Sequence, residues 1–375
     1  MIPDGRIRAW VVLALIDGLG QRELHALLTA FGSPESIVDA NTASLSRIVP
    51  AHVAGAIASG ADAAEVDRVL AWAGEHGNHL LTWDDPDYPK SLLSIGDAPA
   101  LLYYKGRRDL LNSPALAMVG SRNASPSGLR TAEEFATALA DAGLTIISGL
   151  AQGIDAAAHR GGLAATAPGA GSTLAIVGTG IDRIYPPSNG ALAHQIAERG
   201  GMLSEFRLGT PPRKENFPRR NRLISGMSQG VLVVEAALDS GSLITARLAG
   251  EQGRDIFAIP GSIHSPFSKG CHKLIKEGAK LVESARDVLD ELNLRLSAAD
   301  QRRSPADTTA ARPAKASLTG AAAELLAALG YDPVNADALS SRLAWPIERV
   351  MTHLLELEMS GTIAPMPGGR YQRVH

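Results

Sequence analysis

The sequence predicts an α/β protein with a Rossmann-like, mainly parallel sheet as its core, a helical domain before the core and a winged-helix domain after it. Residues 1–78 contain amphipathic helical stretches and few strand-forming residues. Residues 79–296 alternate short β-branched runs with helical stretches, a pattern typical of βαβ units whose sheet is covered on both faces. Residues 317–375 have the order helix, helix, helix, strand, tight turn, strand, which is the outline of a winged helix.

The N-terminal region repeats its apolar residues at helical spacing. One stripe at i, i+3, i+4 and i+7 is formed by Leu24, Leu27, Leu28 and Phe31. We expect this helix to end at Gly32, and Ser33 and Pro34 to supply the N-cap and the first residue of the next helix. A later stripe is formed by Val66, Val69, Leu70 and Ala73. This region is therefore predicted to be all-helical.

The central region contains short runs of β-branched and aliphatic residues that we predict to be strands, at 115–119, 144–147, 174–177, 202–204, 231–234, 255–259 and 280–282. Helical stretches lie between most of them, for example at 131–142, 191–199 and 242–252. Ligands of open parallel sheets bind outside the carboxyl ends of the strands. Small residues follow several predicted strands, which would let backbone N–H groups approach a ligand, although tight turns alone also need glycine.

The C-terminal region follows a predicted flexible linker, residues 297–316, which contains no Leu, Ile, Val or aromatic residue. Three helices are predicted at 321–329, 337–343 and 347–360, and two strands at 363–365 and 370–374. The last helix carries Glu348, Glu356 and Glu358 against a single arginine. Because phosphates repel such a helix, we expect this winged helix to contact protein rather than to read duplex DNA.

The overall composition is that of an ordinary globular protein, with 45% hydrophobic, 20% charged and 4% aromatic residues. The 36 basic and 39 acidic residues leave a net charge of −3, so any anion-binding surface has to be local. Cys271 is the only cysteine, which excludes a disulfide framework and a multi-cysteine zinc site. The longest apolar runs are far shorter than the roughly 18 residues of a membrane span, and we expect a cytoplasmic protein.

Motifs of nucleotide-binding and hydrolytic enzymes are incomplete in this chain. Gly178-x-Gly180 resembles the start of a dinucleotide fingerprint, but Arg183 stands where the third glycine is needed. No GxxxxGK[ST] phosphate loop occurs, and the G-x-S-x-G match at residues 226–230 has its predicted strand after the serine instead of before it. We expect no catalytic residue, no cofactor and no metal ion.

Asp155 and His159 lie four residues apart, on one face of a predicted helix that begins after Gly153. They could form an acid–base pair or part of a metal site, or they could bond only to the scaffold. The sequence shows no third metal ligand, so the structural role is favoured.

The most informative segment is residues 207–222, which hold six basic side chains against the single acid Glu215. Phe217 lies within it, and prolines precede a helix that is expected to begin near Arg219. Basic side chains bind phosphates, and an aromatic face among them can stack on an unpaired base. The segment favours single-stranded nucleic acid as the ligand; a small phosphorylated molecule and a solvated helix start are the alternatives.

Several blocks of sequence follow one another in a distinctive order: GSR at Gly120, SGLAQGIDAAAH at Ser148, GTGIDRIYP at Gly178, FPRRNRLISGMSQGVLVVEA at Phe217 and LIKEGA at Leu274. Over residues 80–290 these blocks resemble the DprA/Smf family of DNA-processing proteins. The DPDYPKSL stretch at Asp85 fits the lead-in to that family's core domain. His272 departs from the pattern, because the family commonly has Asn there.

The resemblance implies a non-enzymatic protein that binds incoming single-stranded DNA during natural transformation, protects it and helps RecA to load. It also implies a homodimer through the Rossmann-like domain and an N-terminal helix-hairpin-helix or SAM-like domain. By matching position, the resemblance assigns the DNA site to Ser121, Arg122, Lys214, Phe217, Arg220, Asn221 and Arg222, over a floor shaped by Gly149, Gly153 and Gly180.

A competing prediction is a hydrolase that acts on a nucleotide or its ribosyl bond, since Rossmann-like folds with glycine turns host such enzymes. Its PGGxGT-type phosphate loop is missing at Pro260-Gly261-Ser262. For the DNA site, we expect Phe217→Ala to weaken single-strand binding at an unchanged salt slope. Arg220→Ala and Lys214→Ala are expected to lower both affinity and slope.

Overall fold

The computed structural model describes residues 4–292 and 320–374. The predicted linker, 297–316, lies outside the described residues. None of the helices in the described part of the chain is long and apolar enough to cross a bilayer.

The N-terminal region is helical, as predicted, with α1 Asp4–Ala14, α2 Gln21–Phe31, α3 Pro34–Val38, α4 Thr42–Leu45, α5 Ala51–Ser59 and α6 Ala63–Ala73. Helix α2 buries Leu24 and Leu27 and ends at Gly32, whose φ of +78° is the left-handed conformation that glycine adopts readily. The Ser33 hydroxyl then accepts the Ser36 N–H at 3.2 Å and caps α3. The apolar faces of α1 and α6 pack against the edge of the central sheet.

The central sheet has nine strands: β1 Asn78–Thr82, β2 Leu101–Gly106, β3 Ala115–Val119, β4 Thr145–Ser148, β5 Thr173–Ile176, β6 Gly201–Ser204, β7 Gly230–Val233, β8 Asp255–Ala258 and β9 Lys280–Leu281. Their order is β1-β2-β6-β5-β4-β3-β7-β8-β9. The seven predicted strands are β3 to β9, and they run parallel, with Leu116 opposite Ile146 on one side and Gly230 on the other. The mainly parallel Rossmann-like prediction is thereby confirmed.

Two strands were not predicted. Strands β1 and β2 pair antiparallel with each other and extend the sheet beyond β6. Their sequences, NHLLT and LLYYKG, contain no valine or isoleucine, and short apolar runs of leucine and tyrosine do not distinguish a strand from a buried helical turn.

Helices cover both faces of the sheet: α7 Pro126–Asp141, α8 Ile154–Ala164, α9 Gly190–Arg199, α10 Asn216–Gly226, α11 Ser242–Glu251, α12 Lys269–Lys276 and α13 Ala285–Glu291. Successive residues of a strand point to opposite faces. In β3, Ala117 packs with residues of α10 to α12, whereas Leu116 and Met118 pack with α7, α8 and α13. The sheet therefore forms a three-layer core whose strand ends are free to carry loops.

The C-terminal region contains α14 Ala321–Leu329, β10 Val334–Asn335, α15 Ala336–Leu343, α16 Ile347–Met359, β11 Ile363–Met366 and β12 Arg370–Arg373. Its strands form a small sheet in the order β10-β12-β11. The three helices and the hairpin confirm the predicted winged helix. The two-residue strand β10 was not predicted, since so short a segment carries no alternation of its own.

Candidate nucleic-acid interface

An open cleft of about 670 Å³ lies at the carboxyl ends of β3 and β7. One wall is the N-terminal part of α10 with the residues before it, and the other is the N-terminal part of α11. Of the ten residues assigned to the DNA site, six line this cleft: Ser121, Arg122, Lys214, Phe217, Arg220 and Asn221. Gly149, Gly153, Gly180 and Arg222 lie outside its lining.

Two aromatic rings stand side by side in the cleft. Helix α10 begins at Asn216, three residues before the predicted start, because Pro218 is compatible with a first helical turn. Phe217 therefore projects from the helix terminus, and the ring packs against Gly178, where a Cβ would lie 3.0 Å from Phe217 Cδ1. Tyr185, with 43% of its surface exposed, lies beside Phe217 with ring centres 5.7 Å apart.

Tyr185 was missed from the sequence. Tyr185 belongs to the GTGIDRIYP block. An aromatic residue shortly after a glycine turn at a strand end was the feature of the sequence that could have marked it as a binding residue. An exposed tyrosine cannot be told from a packed one without the fold, because the same Ile-Tyr-Pro sequence would serve in a buried turn.

Arg122 and Lys214 supply positive charge next to the rings. Both side chains are exposed and line the cleft, and Arg122 Cζ lies 5.7 Å from the centre of the Phe217 ring. Among the residues that the structure describes, neither forms an ion pair with a carboxylate. The charge of both is thus available to an anion that enters the cleft.

Arg222, in contrast, belongs to a buried ion cluster. Arg222 Nε donates to Asp97 at 2.9 Å, and its Nη2 contacts Glu205, whose side chain is 3% exposed. Burial raises the pKa of the Glu205 carboxyl, while Arg222 and Arg219 act to lower it. The expected DNA contact of Arg222 conflicts with this geometry: its guanidinium ties α10 to the end of β6.

Two further cations of the 207–222 segment are also engaged. Arg207 Nη2 donates to the Leu15 carbonyl at 2.7 Å and to Asp17 at 2.8 Å, so it joins the core to the N-terminal helices. Arg219 pairs with Glu205 at 3.3 Å. The six basic residues of 207–222 therefore do not act together as one basic surface, because Arg207, Arg219 and Arg222 are paired with acids.

Arg220 forms part of the floor of the cleft and does not project into it. The residue is 4% exposed, and its Nη1 donates to the Gly149 carbonyl at 2.7 Å and to the Ile176 carbonyl. Burial lowers the pKa of Arg220 to about 10, and the nearby Asp155 opposes that shift. Arg220 thus holds the ends of β4 and β5 together, and the expected phosphate contact that would lower the salt slope does not fit its position.

The glycines support the cleft from below. A Cβ on Gly149 would lie 2.5 Å from Arg220 Nη2, and a Cβ on Gly153 would lie 2.2 Å from the Ser121 carbonyl oxygen. Gly153 also has a φ of +76°. Gly180 is elsewhere, where its Cβ would meet Asp182. Only Gly149 and Gly153 therefore support residues that line the cleft.

Asp155 and His159 bond to the scaffold. Asp155 Oδ2 accepts the N–H groups of Gly149 at 3.2 Å and Ala151 at 3.4 Å. His159 Nε2 accepts the Leu150 N–H at 3.3 Å. Burial lowers the pKa of His159 to about 3 and raises the pKa of Asp155. Within the described residues no group of three or more His, Cys, Asp or Glu side chains could hold a metal ion.

A half-buried carboxylate positions Arg122. The main chain of Glu235 accepts the Ser121 N–H at 2.7 Å, and its side chain accepts both the Ser125 hydroxyl at 2.6 Å and the Ser125 N–H at 2.9 Å. Burial raises the pKa of Glu235, and these hydrogen bonds oppose the shift. Glu235 fixes both ends of the loop that carries Arg122.

Two family models match the chain. The model described as DNA recombination-mediator protein A covers residues 79–293, and the model described as DprA winged helix domain covers residues 309–369.

Bacterial relatives and solved structures agree with these matches. Protein Smf of Escherichia coli is 43% identical over 310 residues, which are 81% of this chain and 80% of that protein. The structure of DNA processing protein A of Streptococcus pneumoniae has a TM-score of 0.65 at 39% identity, covering 74% of this chain and 95% of that one. A Helicobacter pylori DNA processing protein A, solved in work on its single-stranded DNA binding mode, has a TM-score of 0.51 at 30% identity, covering 57% and 95%.

Proposed function

The chain belongs to the DprA/Smf family of DNA-processing proteins, and from this premise we propose that it is a recombination mediator without catalytic activity. In this proposal the chain binds single-stranded DNA in the cleft between α10 and α11, protects incoming strands and promotes RecA loading. The Helicobacter pylori relative supports the ligand class, since its structure was described together with a single-stranded DNA binding mode.

The observation that carries the proposal is the pair of neighbouring rings, Phe217 and Tyr185, beside two cations without carboxylate partners, Arg122 and Lys214. Base stacking on an aromatic side chain contributes about 1–3 kcal/mol, and we expect both rings to take part in it. A duplex hides its base faces, so the rings favour single strands. The cations then neutralise the phosphates on either side of the stacked bases.

The chemistry around the cleft supports binding rather than hydrolysis. A hydrolase would need a carboxylate or another base that is free to act on a substrate. Asp155 and Glu235 both accept backbone N–H groups, and Glu205 is held by two arginines. These three carboxylates shape the loops. Asp239 is the exposed carboxylate in the cleft lining, and no histidine or cysteine stands among the lining residues to act with it on a substrate.

The test is a fluorescence-anisotropy titration with a labelled single-stranded oligonucleotide, the matching duplex and free nucleotides. We expect tight binding only of the single strand, with a loss of about 5- to 150-fold for Phe217→Ala, as 1–3 kcal/mol requires. Arg286→Ala, which removes an exposed arginine of α13 away from the cleft, is the matched control. Equal binding of duplex and single strand, or an unaffected Phe217→Ala variant, would refute the proposed site.

RecA loading is tested by following filament formation on oligonucleotides that are already coated with single-strand-binding protein. The full chain is expected to shorten the lag before filament formation, and Phe217→Ala is expected to weaken this effect in proportion to its lost affinity. If Phe217→Ala loads RecA as well as the unaltered chain does, loading does not depend on this cleft.

We also propose that the core forms a homodimer through the sheet edge at β9. Leu238, Ile263 and Leu281 are 61%, 66% and 44% exposed there and line one apolar depression. A second copy would remove these side chains from water. Leu281→Glu is expected to convert a dimer into a monomer in analytical ultracentrifugation, whereas Leu93→Glu, at another exposed leucine, is not.

A further inference from the structure

Helix α16 of the winged helix presents apolar side chains on both of its sides. Val350, Leu354 and Leu357 are buried in the core of the domain. On the opposite side Met351, Leu355 and Met359 are 44%, 59% and 83% exposed. Because they are spaced by four residues, they form one stripe about 12 Å long at a rise of about 1.5 Å per residue.

Carboxylates frame this stripe. Glu348 lies one turn before Met351, and Glu358 lies one turn after Leu355, on the same side of the helix. In the described residues neither carboxylate takes part in an ion pair. The cations of α16 are turned away, because Arg349 stacks on Trp345 with Cζ 3.9 Å from the ring centre and His353 bonds to Glu356 at 2.7 Å.

This arrangement disfavours two occupants of the stripe, duplex DNA and a second copy of α16. In winged-helix readers of DNA the corresponding helix enters the major groove, but here its exposed face would bring carboxylates to the phosphates. A second copy of α16 is also disfavoured. Packed antiparallel, Glu348 would meet Glu358 of the other copy; packed parallel, each glutamate would meet its own counterpart. Both symmetric pairings therefore place like charges together.

We propose that the Met351–Leu355–Met359 stripe is a docking surface for an amphipathic helix of another protein, one with an apolar face and lysines or arginines at both of its ends. Such a helix places its apolar residues on the stripe and its cations against Glu348 and Glu358. Two methionines give the surface flexible, polarisable side chains that adapt to the shape of an apolar partner. This surface is separate from the DNA cleft, so its test is independent of the proposed function.

The probe is a synthetic helical peptide with leucines at positions i, i+4 and i+8 and lysines at both ends, labelled for fluorescence anisotropy. A matched peptide carries glutamates in place of the lysines. With the full chain we expect micromolar binding of the lysine peptide and at least tenfold weaker binding of the glutamate peptide. Leu355→Ser with Met359→Ser is expected to weaken the lysine peptide tenfold or more, whereas Ile48→Ser, at an exposed apolar residue elsewhere, is not.

A charge exchange completes the test. Glu348→Lys with Glu358→Lys is expected to reverse the preference, so that the glutamate peptide binds more tightly than the lysine peptide. Thermal unfolding of each variant checks that the exposed substitutions leave the fold intact. If Leu355→Ser with Met359→Ser leaves the affinity for the lysine peptide unchanged, the proposal is overturned. A preference that survives the charge exchange overturns it too. Direct binding of a labelled duplex oligonucleotide that Leu355→Ser with Met359→Ser weakens, or self-association that the same double variant abolishes, also overturns it.

Discussion

Replacing Lys214 or Arg122 by alanine is expected to reduce the salt dependence of single-strand binding, whereas Arg220→Ala is not. Lys214 and Arg122 are exposed cations of the cleft, and each that contacts a phosphate releases a counterion. Arg220 is buried and donates to main-chain carbonyls, so we do not expect its guanidinium to contact a phosphate. One salt titration should therefore distinguish the exposed cations Lys214 and Arg122 from the buried Arg220.

The magnitudes follow from the count of available cations. Each phosphate contact on a single strand contributes about 0.7 to the slope of log K against log salt, so two cleft cations give a slope of about 1.4. The six basic residues of 207–222 together with Arg122 would give about 4.9 on the same scale. Removing Lys214 alone should lower the slope by about 0.7, which makes the loss of affinity over a fourfold rise in salt about 2.6-fold smaller.

Arg220→Ala has a different signature. It removes the partner of the Gly149 and Ile176 carbonyls and leaves the buried Asp155 without its nearest cation. Breaking a buried charge arrangement costs about 3–5 kcal/mol, so the variant should unfold at a much lower urea concentration. The molecules that remain folded should keep the parental slope of log K against log salt. Urea unfolding and anisotropy at four salt concentrations measure both. A slope reduced by about 0.7 at unchanged stability would show that Arg220 contacts phosphate and refute this division.

Three more outcomes are expected. The pKa of His159 is about 3, against an ordinary 6.5, so between these pH values the unfolded chain binds a proton that the folded chain does not. The free energy of unfolding should therefore fall as the pH drops from 6.5 towards 3, by up to about 1.4 kcal/mol per pH unit. Urea unfolding at several pH values should show a smaller fall for His159→Asn. Arg222→Leu should lower the free energy of unfolding by about 3–5 kcal/mol, because it leaves the buried Glu205 carboxylate without this partner. Adding Glu205→Gln should restore part of the lost stability, and no restoration would show that Arg222 and Glu205 are not coupled. Cys271, whose pKa burial raises to about 12, should resist iodoacetamide at pH 8 until the chain unfolds.

Most of the architecture was predictable because its signals are local. The stripe from Leu24 to Phe31 and the stop at Gly32 specify one helix by spacing and backbone conformation alone. The strands β3 to β7 are recognisable for the same reason, since they are buried along their whole length and parallel strands of this kind read as short apolar runs. Strands β1 and β2 were not recognisable, because they carry no valine or isoleucine and join the sheet only where β2 pairs with β6, about 100 residues further along the chain.

The site was only partly predictable, because charge counted along the chain differs from charge available in space. Arg207, Arg219 and Arg222 meet Asp17, Glu205 and Asp97, acids that are 14 to 190 residues away in sequence. Counting charges within the segment includes these arginines but not the distant acids that the fold places beside them. Conversely, Tyr185 gains its position only because the turn after β5 returns beside the first turn of α10. A basic segment therefore predicts that an anion site is near, while the fold decides which of its residues can reach the ligand.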